Sequence, residues 1–137
     1  MPALDYCHPQ IVRALEKDGW RVSDLPLRIK TSERIIYIDI EASQQVNGRQ
    51  QQIMLAEIKC FPDRESTTRD LYIGIGQYVI YRAVLKTADI NIPLYLTLPE
   101  SVFTGIFDST VQRAIDDNKI KVVVVNLETE TITRWIE

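Results

Sequence analysis

Two apolar segments on either side of one Asn-Gly pair set the narrowest limits on how this chain can fold. "RIIYIDIEA" (34–42) alternates Ile36, Ile38 and Ile40 with Tyr37, Asp39 and Glu41, and "IMLAEIKCF" (53–61) follows after the polar stretch "SQQVNGRQQQ". Period-two alternation sends one set of side chains to a core and the other to the opposite face, so the two segments read as a β-hairpin around Asn47-Gly48. The turn decides what the hairpin can hold. A strict two-residue turn would set Glu57 opposite Ile38 and point Asp39 to the other face. A three-residue loop with Gly48 left-handed, or one bulge, restores even pairing. Asp39 and Glu57 then share a face, and Ile36, Ile38 and Ile40 line up with Met54, Ala56 and Ile58. The apolar pattern selects this second register.

The stretch "LAEIKCF" (55–61) reads as one buried strand, yet it carries Glu57 and Lys59, which a strand sends to the same side. A same-face ion pair would explain them, and so would a site. Two carboxylates, Asp39 and Glu57, converging beside an ammonium can hold a divalent cation and orient an attacking water. Oxygen ligands suit Mg²⁺, with Mn²⁺ as a substitute. Lys59 would position the nucleophile or stabilise negative charge.

The rest of the chain supplies the frame. "HPQIVRALEKDGW" spaces Ile11, Val12 and Leu15 as a helix with Pro9 in its first turn and Gly19 just past its end. "WRVSDLPLRIK", interrupted by Pro26, reads as an irregular or edge strand. Ser66 or Thr67 caps a second helix over "LYIGIGQYVIYRAVL", where Gly74 and Gly76 cost helix stability and imply close packing on the sheet. Gln77 and Tyr81 lie four apart and share one face of it. "IPLYLTLP" is a buried strand, "VFTGIFDSTVQRAIDDNK" one or two short helices, and "IKVVVVNLETETITRWIE" two final strands turning near Glu128 to Glu130. The order αβββαβαββ predicts a mixed α/β domain over residues 1–137, a length suited to one core.

Charge and cysteine usage narrow the function. A net charge of −3 argues against a surface that grips nucleic acid all over, so any DNA contact is local. Arg64, Arg69, Arg82 and Lys86 form either a solvated face or a basic edge for phosphates. With only Cys7 and Cys60, the expectation is a reduced, buried Cys60 and no disulfide framework. No signal-peptide pattern or apolar run of membrane-spanning length is present, which predicts a cytoplasmic protein with no membrane contact. An unprotected strand edge bearing Trp135 predicts association, either as a homodimer or with a second protein.

Asp39, then Glu57-x-Lys59, then Gln77-x-x-x-Tyr81, in an αβββαβ order, resembles the PD-(D/E)XK nuclease superfamily, the last pair matching the QxxxY motif of its RecB-like branch. "DGW" at residue 18, "YIDIEA", "AEIKCF" and "IGQYVIYRAVL" resemble more closely the XisH family of fdxN-element excision controlling factors, found mainly in cyanobacteria. The resemblance covers nearly the whole chain. It implies a restriction-endonuclease-like fold, with a mixed central sheet flanked by helices and extended by C-terminal strands. It also implies a role in programmed excision of a DNA element, alongside a site-specific recombinase and an XisI-like companion. The superfamily often carries a Glu on the first helix, and His8 stands at the equivalent place. Asp39, Glu57 and Lys59 are then the candidate catalytic residues, Asp39 and Glu57 the metal ligands, and Gln77, Tyr81 and His8 supporting groups. The alternatives are a non-catalytic binding module on a nuclease fold and a defence-type nuclease held silent by its partner.

Overall fold

The computed structural model describes residues 6–46, 48, 50–61 and 64–137. Helix α1 (His8–Lys17) is followed by the short strands β1 (Arg21–Val22), β2 (Leu27–Lys30) and β3 (Ile35–Ile38), and then by the long hairpin β4 (Ile40–Val46) and β5 (Gln50–Ile58). A 3₁₀ turn (Arg64–Ser66) leads into α2 (Thr67–Thr87). Strand β6 (Leu94–Pro99), helices α3 (Glu100–Ile106) and α4 (Ser109–Asp117), and strands β7 (Lys121–Asn126) and β8 (Thr131–Ile136) complete the chain. The main sheet runs β1-β4-β5-β6-β7-β8, with β5, β6 and β7 parallel and the outer pairs antiparallel; β2 and β3 form a separate ribbon.

Both faces of the sheet are covered. Successive residues of β5 point alternately to two cores: Met54, Ala56 and Ile58 meet Ile11 and Leu15 of α1, while Leu55 joins Tyr78 and Leu85 of α2. Parallel strands buried on both sides read as continuous apolar runs, and "LYLTLP" and "VVVV" are buried throughout. Helix α1 stops because Gly19 takes φ +93°, and a Cβ there would come within 2.7 Å of Gln44 Nε2, which donates to the Asp18 carbonyl at 2.6 Å. No helix among the described residues is long and apolar enough to cross a membrane.

The hairpin has the even register that the apolar pattern selects. Ile40 pairs with Ala56 and Val46 with Gln50, leaving a three-residue loop in which Gly48 has φ +73°. Asn47 itself lies outside the described residues. Three expectations are corrected. "RIIYIDIEA" is not one strand: it breaks at Asp39, so β3 pairs with β2 and sends Ile36 and Ile38 to the α2 side, while Ile40 packs on the α1 side. Alternation looks continuous across such a break because the bend changes the facing without changing the apolar spacing. Strand β5 ends at Ile58, and the chain turns at Phe61 with φ +57°. Cys60 is not a free thiol: it forms a disulfide with Cys7, their Cα atoms 5.8 Å apart, joining the start of α1 to the end of β5.

Candidate functional site

The bend between β3 and β4 sets Asp39 beside the last residues of β5. Its backbone N–H donates to Glu57 Oε1 at 3.2 Å, and its Oδ2 accepts from the N–H of Ile58 at 2.9 Å. Asp39 and Glu57 therefore meet at the C-terminal end of a central strand, as the register requires. Glu57 is 3% exposed. Burial pushes its carboxyl up to about 9; the nearby Asp39 charge and a side-chain hydrogen bond with Asp39 act the same way, against smaller opposing effects from the Asp39 backbone N–H and from Lys59. At neutral pH the Glu57 carboxyl holds its proton.

Lys59 follows β5 by one residue, its N–H donating to the Thr97 carbonyl at 3.1 Å. The expected close packing on α2 occurs at Gly74, which is buried and would bring a Cβ within 3.1 Å of Lys59 Cγ. Gly76 does not share it: it is exposed, with nothing within 4 Å. No ion pair between Lys59 and Glu57 is present, so a plain salt bridge does not account for the two charges.

One and two turns beyond Gly74, Gln77 and Tyr81 extend the same face of α2. Gln77 Nε2 donates to Tyr81 Oη at 2.9 Å, and Gln77 Oε1 is buried without a partner. Burial raises the Tyr81 phenol, and the charges of Glu57 and Asp39 raise it further, placing the ring within their field. The phenol keeps its own proton to donate. Asp39, Glu57, Lys59, Gln77 and Tyr81 thus come together from three elements.

His8 makes no hydrogen bond to this group. It opens α1, on the other side of the sheet from α2, and its Nδ1 is buried without a partner. The Cys7–Cys60 disulfide holds that helix end against Cys60, the residue after Lys59. No group of three or more His, Cys, Asp or Glu side chains is gathered for a metal among the described residues. Two carboxylates held this close still fit Mg²⁺, which commonly takes only one or two carboxylates and completes its shell with water and phosphate. Sequence reasoning missed Glu100, which follows β6 at the same end of the sheet with a buried, unpartnered Oε2. Nothing in its local sequence separates it from an ordinary acidic residue in a first helical turn.

A family model, XisH protein, matches residues 1–133. The chain belongs to the XisH family. Two solved structures are similar over nearly their whole length. One is an XisH family protein from Nostoc punctiforme PCC 73102, at 28% identity and a TM-score of 0.85, covering 97% of this chain and 100% of that one. The other, an fdxN element excision controlling factor protein from Anabaena variabilis, has 29% identity and a TM-score of 0.82, covering 95% and 97%. The comparison with curated proteins gave no match.

Proposed function

We propose that this XisH-family chain acts on DNA during excision of a genetic element, as a restriction-endonuclease-like, Mg²⁺-dependent phosphodiesterase of PD-(D/E)XK type. The observation that carries this reading is the Asp39–Glu57 pair, whose mutual repulsion in a buried setting a divalent cation would relieve. Asp39 and Glu57 would hold the ion, Mg²⁺ or Mn²⁺, each with one oxygen not engaged by a backbone donor. Bound there, the ion supplies a Lewis acid for a phosphoryl oxygen and a lower pKa for a water. Lys59, its stem laid along Gly74, places an ammonium where charge builds on the phosphate. Tyr81, steadied by Gln77, offers a hydroxyl donor to the same space.

The excision role rests on the name of the Anabaena variabilis relative. In this reading an XisI-like companion and a recombinase are the partners. The outer face of α2, where Tyr72, Ile73 and Ile80 are 65%, 51% and 49% exposed, gives a companion an apolar surface to cover. Self-association is the other form of partnership in this reading, with Trp135 of β8 half-buried against Trp20 and Tyr95.

A second reading, a non-catalytic regulator on the same scaffold, is favoured by the near-complete burial of Glu57 and by the absence of a three-ligand group among the described residues. Mn²⁺ binding followed by electron paramagnetic resonance separates the two. The enzyme reading expects saturable binding lost in Asp39→Asn and Glu57→Gln. Binding that is absent, or unchanged in both variants, supports the regulator.

A further inference from the structure

The end of the sheet where β6 and β7 begin carries two adjoining concavities that the Asp39–Glu57 site does not use. On the α1 side, a cavity of about 730 Å³ is walled by Trp20, Trp135 and Tyr95, with Asp18 and Glu137 at its margin. The tryptophan rings lie 6.1 Å apart, and Tyr95 meets Trp135 edge-on at 5.2 Å. Both carboxylates are oriented by donors of the cavity itself. Trp20 Nε1 donates to Asp18 Oδ2 at 3.3 Å, and Tyr95 Oη donates to Glu137 Oε1 at 2.7 Å, leaving one oxygen of each carboxylate as an acceptor.

Around the strand starts, on the α2 side, a smaller pocket of about 180 Å³ is lined by Arg82, Lys86, Lys119 and Lys121 and by no carboxylate. None of these four cations is in an ion pair among the described residues. The guanidinium of Arg82 lies 5.2 Å over the Tyr78 ring, and its Nη1 donates to the carbonyls of Asn118 and Lys119 at 2.8 and 3.1 Å. It is held in place with Nε and Nη2 still available to an anion. Tyr78 is fixed in turn: its hydroxyl donates to the Leu94 carbonyl at 2.7 Å and accepts from the Lys121 N–H at 3.2 Å. Pro93 lines both concavities, and the Lys121 ammonium reaches to 5.9 Å over the Tyr95 ring.

Stacking rings beside a concentration of unpaired cations is what a nucleotide requires of a protein. We infer that this end of the sheet binds a nucleoside 5′-phosphate unit, with an amino-bearing base against Trp20 and Trp135 and the phosphate among Arg82, Lys86, Lys119 and Lys121. Asp18 and Glu137 accept from the exocyclic amino group, as carboxylates do at base edges. On a chain of net charge −3, this gathering is a local anion site in an otherwise acidic protein. The unit could be a free nucleotide or the 5′ end of a single strand.

Trp20 and Trp135 are the only tryptophans, so intrinsic fluorescence reports on the cavity directly. Titration of the intact protein with 2′-deoxyguanosine 5′-monophosphate is expected to give saturable quenching that inorganic phosphate reverses. Deoxyguanosine without the phosphate should bind at least tenfold more weakly, and so should the nucleotide to a Lys86→Ala/Lys119→Asn variant. Both positions are exposed, and Lys119, at φ +53°, tolerates asparagine. A 5′-phosphorylated hexadeoxynucleotide binding at least tenfold tighter than the mononucleotide assigns the site to a strand end, and equal affinities assign it to a free nucleotide. No saturable quenching, or quenching indifferent to the phosphate and to the lysines, overturns the inference. Asp39→Ala should leave the quenching unchanged, so failure here is separable from failure of the phosphodiesterase reading.

Discussion

Asp39 and Glu57 are joined backbone to side chain: the N–H of one donates to the carboxylate of the other at 3.2 Å, at the point where β3 gives way to β4. The bond fixes a second carboxylate against a nearly inaccessible first. The bond itself favours an ionised Glu57, yet burial first and the Asp39 charge second raise the carboxyl from the ordinary range to about 9.

That shift has a definite sign in stability. A carboxyl whose folded pKa lies above its unfolded value takes up a proton on folding, so its contribution is fully present below about pH 4.5 and is lost as pH rises through about 9. In metal-free buffer, Glu57→Gln should remove this slope. Between pH 6 and pH 9 the wild type is expected to lose stability relative to the variant, on the order of a few kcal/mol at about 1.4 kcal/mol per pKa unit. Urea denaturation of both proteins at each pH measures the difference, and parallel pH curves would contradict the assignment.

The two glycines of α2 make a paired test of Lys59. Gly76→Ala meets nothing and should stabilise the protein by about 0.5–1 kcal/mol through helix propensity alone, with function unchanged. Gly74→Ala gains the same propensity but puts a methyl 3.1 Å from Lys59 Cγ, displacing a flexible stem. Its stability should stay within about 1 kcal/mol of wild type, while any activity that depends on the Lys59 ammonium falls. Full activity in Gly74→Ala would remove the role given to the Lys59 position.

Reduction should loosen the corner that holds α1 to the site strand. Cys7 and Cys60 are separated by 53 positions, a loop whose closure is worth about 4 kcal/mol in the chain-entropy view. Dithiothreitol, or a Cys7→Ser/Cys60→Ser variant, is expected to lower the urea midpoint by a corresponding amount without abolishing the fold. Two thiols reacting freely with Ellman's reagent in the native, unreduced protein would contradict the pairing.

What could be read from sequence, and what could not, follows the range of the physics involved. The parity of the hairpin was legible because a slip of one residue would turn Ile40, Ala42, Met54 and Ala56 out of the core. Gln77 and Tyr81 were legible because helical periodicity alone puts them side by side. The break at Asp39 was not, since Ile36, Ile38 and Ile40 keep strand spacing across it while changing core. The Cys7–Cys60 bridge and the Trp20–Trp135 wall join residues from opposite parts of the chain, and no local pattern encodes such meetings.

Nicking of supercoiled plasmid in Mg²⁺ or Mn²⁺, by the purified protein with and without its XisI-like companion, tests the central claim most directly when Asp39→Ala and Lys59→Ala are run beside it. The account predicts metal-dependent nicking by the wild type that falls at least a hundredfold in both variants, about 2.7 kcal/mol of lost transition-state stabilisation. No nicking under any of these conditions, or nicking that survives both substitutions, would contradict it and leave Asp39, Glu57 and Lys59 to a binding role.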